Sequence, residues 1–95
     1  MVATIRISAA GGGVWRECNV YLGRDIELFF ASTDRGEVEL RAHLLRLAGV
    51  ETRVRKEGGR NAWYLGATTD QLAAGAEELR RELAKAVRQA ARWVC

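Results

Sequence analysis

Ala67-Thr68-Thr69-Asp70 ends an alternating apolar run and opens the longest helical pattern of the chain, and Ala31-Ser32-Thr33-Asp34 does the same earlier. The two stretches lie 36 positions apart, Asp34 to Asp70. Hydroxyl and carboxylate side chains at such junctions cap helices, because their oxygens accept hydrogen bonds from the orphan N–H groups of the first turn. Read outward from these caps, the chain is one strand followed by two copies of strand, strand, helix.

The leading segment, Val2 to Ser8, places Ala3, Ile5 and Ile7 on one side and Thr4, Arg6 and Ser8 on the other, which predicts a strand with one buried face. Ala9-Ala10-Gly11-Gly12-Gly13 breaks it. No Gly-Lys-Ser/Thr follows, and the next segment is strand rather than helix, so these glycines predict a turn and not a phosphate loop. Val14 to Leu22 and Ile26 to Ser32 predict a hairpin through Gly23-Arg24-Asp25. That loop keeps Cys18, Val20 and Leu22 in phase with Ile26, Leu28 and Phe30. Trp15, Tyr21 and Phe29 then fall on the opposite face with Glu17, Asn19 and Glu27.

The first helix is expected over residues 35–48, with Asp34 as N-cap, Glu37 completing a capping box and Gly49 as the stop. Val38, Leu40, Ala42, Leu44, Leu45 and Leu47 cover more than half its circumference, leaving Glu39, His43 and Arg46 as a polar strip. Glu39 and His43 are four apart, but two ligands do not make a metal site.

Val50 to Lys56 and Asn61 to Ala67 predict a second hairpin, with Gly58-Gly59 as a tight primed turn. Pairing Glu57 with Arg60 puts Val54 opposite Trp63, Thr52 opposite Leu65 and Val50 opposite Ala67 on the core face. Arg53 then faces Tyr64 and Arg55 faces Ala62 on the other side, with Lys56 and Arg60 near the tip. The last helix is expected over residues 70–93, with Thr68 and Gln71 closing a capping box. Its apolar stripe is Leu72, Ala76, Leu79, Leu83, Val87, Ala90 and Val94, and Gly75 thins it where it crosses another backbone.

Assembled, residues 1–95 predict a single α+β domain: a mainly antiparallel sheet of about five strands with two helices on one face, in two hairpin-helix units over 14–48 and 50–93. Leu45, Val54, Trp63, Leu79 and Leu83 are expected in the core. The other sheet face has no element left to cover it. Arg53, Arg55, Lys56 and Arg60 around Tyr64 are the composition of a nucleic-acid-binding sheet, the cation for phosphate and the ring for a base. Trp15, Tyr21, Phe29 and Tyr64 would equally make a protein interface. The expected function is therefore a non-catalytic nucleic-acid-binding or accessory domain. The alternative is a protein-interaction or self-association module, such as a homodimer, using the same face. One histidine, no nucleophile with a base at workable spacing and no dinucleotide fingerprint speak against an enzyme, and no cofactor, metal or small-molecule substrate is implied.

Composition agrees with a globular domain, 48% hydrophobic and 28% charged over 95 residues. Cys18 and Cys95 have neither C-x-x-C spacing nor histidine partners, so two free thiols are expected. The sequence has no apolar run of about 18 residues and no signal-peptide pattern, which predicts a cytoplasmic protein without a membrane partner. Arginine dominates the 15 basic residues, and Asn and Gln are scarce, as in thermophilic proteins. The net charge of +3 comes entirely from residues 49–95.

Leu44-Leu45-Arg46-Leu47-Ala48-Gly49-Val50-Glu51, the Trp63-Tyr64 strand, and Ala67-Thr68-Thr69-Asp70-Gln71-Leu72-Ala73-Ala74-Gly75 followed by Glu77-Glu78-Leu79-Arg80 resemble the paralogous repeat proteins of hyperthermophilic crenarchaea, a family of unknown function. The resemblance spans about residues 20–92 and implies an archaeal, thermophilic source. Members continue into a further basic, tryptophan-containing segment, whereas this chain stops at Cys95, as a short member or a fragment would. In topology alone, hairpin-helix-hairpin-helix is similar to the LAGLIDADG homing endonucleases without their leading helix. That similarity implies a sheet that lies on DNA, without the metal-dependent cleavage that the missing helix supports.

Overall fold

The computed structural model describes residues 2–8, 13–56, 58–59 and 61–94, with side chains up to residue 89. The elements are β1 (Val2–Ser8), β2 (Trp15–Leu22), β3 (Ile26–Ser32), α1 (Arg35–Leu47), β4 (Arg55–Lys56), β5 (Trp63–Ala67), α2 (Thr69–Ala73) and α3 (Glu77–Val94). The strands form one open sheet in the order β1-β2-β3-β5-β4, every neighbouring pair antiparallel. This is the α+β architecture that the alternating and helical periods predict.

The first hairpin closes in the expected register, Leu22 opposite Ile26 and Val20 opposite Leu28. One sheet face therefore presents Ile5, Ile7, Cys18, Val20, Leu28, Leu65 and Ala67. These pack in one cluster with Val38, Ala42, Leu44 and Leu45 of α1, Leu72 of α2 and Leu79, Leu83 and Ala86 of α3. Val54 and Trp63 are only partly buried at its margin. Ala86 joins the core, whereas Leu47, Ala76 and Val87 are exposed despite their places in the apolar stripes. The stripe residues Ala90 and Val94 lie outside the described side chains.

α1 starts as the sequence predicts, with the Glu37 amide donating to Asp34 Oδ1 at 3.4 Å. The Glu37 carboxylate does not close a box. It accepts from Arg41 Nη1 at 2.8 Å and lies 3.4 Å from Arg16 Nε, because two cations outcompete one backbone N–H. At the other end Gly49 takes φ of 87°, and the amides of Gly49 and Val50 donate to the carbonyls of Arg46 and Leu45. This is a Schellman motif, whose left-handed residue favours glycine.

The expected 70–93 helix is two helices. The Thr68 amide donates to Gln71 Oε1 at 2.8 Å at the start of α2. After Ala73 the chain leaves the helix, and the Ala76 amide donates to the Ala48 carbonyl at 2.6 Å instead of to its own preceding turn. Buried Gly75 permits this approach, since a Cβ there would lie 2.9 Å from Leu79 Cδ2 and 3.0 Å from Val50 Cγ2. The break lets α2 stay on the sheet end, where Thr69 Oγ1 both donates to the Ile26 carbonyl and accepts from its amide, while α3 crosses to β1.

The second hairpin is also corrected. Arg55 pairs with Tyr64 and Lys56 with Trp63, two positions from the expected register, and residues 51–54 form no strand. The Glu57–Arg60 pair lies outside the described residues. Gly59 has positive φ, but with Lys56 opposite Trp63 the hairpin is not centred on Gly58-Gly59, so the pair is not the expected two-residue turn. Thr52 compensates for the missing ladder by donating its hydroxyl to the Gly66 carbonyl at 2.9 Å.

Candidate nucleic-acid interface

Strand β5 runs Trp63, Tyr64, Leu65, Gly66, Ala67, and its period of two sends Trp63, Leu65 and Ala67 towards the helices and Tyr64 and Gly66 to the open face. Tyr64 does not stand upright. A Cβ on Gly66 would lie 2.8 Å from the Tyr64 hydroxyl oxygen and 3.2 Å from two ring carbons, so the ring is laid across the glycine. Its hydroxyl donates to Glu27 Oε1 at 3.1 Å, and the Arg55 guanidinium lies 5.8 Å from its centroid.

Across the strand, Trp63 meets two cations on the helix side: Arg35 at 4.5 Å and Lys56 at 5.9 Å from a ring centroid. Arg53 is exposed just before β4. Arg53, Arg55 and Lys56 form no ion pair with any described residue, while Arg35 is paired with Glu39 at 3.4 Å. The basic set thus wraps the β4–β5 edge instead of lying wholly on the open face. Arg55 and Tyr64 are on that face, Lys56 is on the other side, and Arg60 lies outside the described residues. Sequence reasoning missed Arg35, since nothing in the spacing of residues 35 and 63 signals that their side chains meet.

The rest of the open face is close to neutral. Arg6 opposes Glu17, Asn19 opposes Phe29, Tyr21 opposes Glu27 and Phe29 opposes Gly66. Trp15 and Tyr21 are 45% and 48% exposed, but they stand at opposite ends of β2, roughly 20 Å apart at the strand rise of about 3.3 Å per residue. Arg6 covers Trp15 at 4.5 Å from a ring centroid, and a Cβ on Gly23 would fall 2.7 Å from a Tyr21 ring carbon. Phe29 and Tyr64 are half-buried. The four aromatics do not make one continuous apolar patch.

On the covered face, Arg41 is 8% exposed between α1 and the sheet. Its guanidinium lies 3.6 Å from the Phe30 centroid, and Nη1 donates to the Glu37 carbonyl at 2.9 Å and to the Glu37 carboxylate. The Arg41 hydrogen bond is the main cause holding the Glu37 carboxyl below its usual range, with Arg16 adding to it. Burial pushes the neighbouring Cys18 thiol up to about 12, opposed by Arg41, so this thiol is kept neutral and unreactive. Among the described residues no group of three or more His, Cys, Asp or Glu could hold a metal ion. No helix of these residues is long and apolar enough to cross a membrane.

Comparison with protein-family models, curated proteins and solved structures finds no match to this chain.

Proposed function

We propose that the protein binds nucleic acid, without catalysing a reaction on it, along the β4–β5 edge of its sheet. The observation that carries this reading is the pair Arg55 and Lys56, flanking Tyr64 and Trp63 on the two sides of one strand, with exposed Arg53 just before them and none of the three paired with a described carboxylate. Unpaired cations supply phosphate contacts and counterion release, and adjacent rings supply stacking surface. Kinship with the crenarchaeal repeat proteins belongs to the same proposal.

A protein-interaction or self-association role is the second reading, favoured by the exposed rings of Trp15 and Tyr21. A salt titration separates the two. Binding to labelled DNA and RNA whose affinity falls linearly in log salt supports the nucleic-acid reading. No binding at low salt, together with a dimer on a sizing column that Tyr21→Arg dissociates, supports the other.

A further inference from the structure

The open face beside the basic edge carries chemistry suited to bases rather than to phosphates. Tyr64 lies flat over Gly66, and Phe29 is the cross-strand neighbour of that same glycine, so two half-buried rings occupy adjoining strands. Next to Phe29 is Asn19, and Glu27 follows on the Tyr64 hydroxyl. Asn19 offers both a donor and an acceptor, and the Glu27 carboxylate accepts from N–H groups. Glu27 and Glu17 would repel a phosphate backbone laid across this face. Arg6 also lies on this face, but opposite Glu17 and over the Trp15 ring at the far edge of the sheet, whereas Arg55 stands beside Tyr64.

A duplex offers the reverse arrangement, with phosphates outside and its base faces stacked within. It would meet carboxylates across the sheet and leave the rings unused. A single strand can follow Arg53 and Arg55 with its backbone and turn its bases inward onto Tyr64 and Phe29. From this juxtaposition we infer that the ligand is single-stranded nucleic acid: bases stack on Tyr64 and Phe29, and Asn19 and Glu27 meet their polar edges. Glu27 favours bases that carry an amino group, namely cytosine, adenine and guanine, over thymine and uracil. This inference rests on the nucleic-acid reading and adds to it the state of the strand and the groups that touch the bases.

The test is fluorescence anisotropy with a labelled 12-nucleotide oligomer, single-stranded and annealed to its complement, compared at low salt and then across a series of salt concentrations. The single strand should bind at least about tenfold more tightly. Tyr64→Ala should lower single-strand affinity roughly five- to hundredfold while leaving the residual duplex affinity and the salt slope unchanged. Oligo-dC should bind more tightly than oligo-dT, and Glu27→Gln should narrow that difference. Circular dichroism melting of each variant confirms that it is folded at the assay temperature. Equal or tighter binding of the duplex would overturn the single-strand inference and leave nucleic-acid binding standing. Binding of neither form would overturn both.

Discussion

Arg41 Nε donates to the Glu17 carbonyl at 2.8 Å, so a side chain from α1 is hydrogen-bonded to the backbone of β2 inside the layer between helix and sheet. The same guanidinium reaches back to Glu37 and lies on Phe30, which joins three elements through one residue. Arg41→Ala should cost about 2 to 4 kcal/mol in urea unfolding, because charged hydrogen bonds and a buried cation–ring interaction disappear together. Arg41→Lys should recover little of it, since an ammonium cannot reproduce the planar fork. A cost below about 0.5 kcal/mol for the alanine variant would mean that the layer is not joined there.

Gly75→Ala distinguishes a broken helix from a continuous one by sign. In an uninterrupted exposed helix the change should stabilise by about 1 kcal/mol. With Leu79 Cδ2 and Val50 Cγ2 at 2.9 and 3.0 Å from the added methyl, it should instead destabilise by about 1 to 3 kcal/mol. Thermal unfolding of the variant reads the answer directly.

Leu79 supports the same junction from the core side, buried where α3 begins to pack on β1. Leu79→Ala should cost about 2 to 5 kcal/mol. An effect within about 0.5 kcal/mol in denaturant titration would remove the stripe from the core.

The Glu37 carboxyl is held below its ordinary value of 4.5 in the folded state. A depressed folded value stabilises the protein at pH above that ordinary value, and the contribution disappears as pH falls from about 4.5 through the folded value. The stability difference between the wild type and Glu37→Gln should therefore be constant near neutral pH and shrink below pH 4.5. A difference that does not change between pH 7 and pH 3 would contradict the Arg41 and Arg16 interactions.

At the basic edge, Arg53→Ala with Arg55→Ala should weaken nucleic-acid binding and lower the slope of log affinity against log salt by about 1.4 on a single strand, near 0.7 for each phosphate that is no longer neutralised, and by about 2 on a duplex. Affinity and slope both equal to wild type would place the binding surface elsewhere.

The sequence by itself determined what depends on neighbours along the chain. Alternation assigned β1, β2, β3 and β5 their inward faces, Asp34 and Thr68 marked where helices start, Gly49 marked where α1 stops, and Gly23-Arg24-Asp25 set the first hairpin's register. The Arg55–Tyr64 side of the candidate site was legible for the same reason, because a two-position slip preserves the strand's period and hence its faces. Only the tertiary structure decided the strand order, the break at Gly75, the short β4 strand and the burial of Arg41. Each turns on a meeting of residues distant in the chain: Leu28 with Ala67, Ala76 with Ala48, Thr52 with Gly66, Arg41 with Glu17. Local propensity favoured a longer α3 and a tight glycine turn. Backbone carbonyls and amides nevertheless take their partners where the packed layers bring them together, and such hydrogen bonds outweigh the fraction of a kcal/mol per residue that propensity offers.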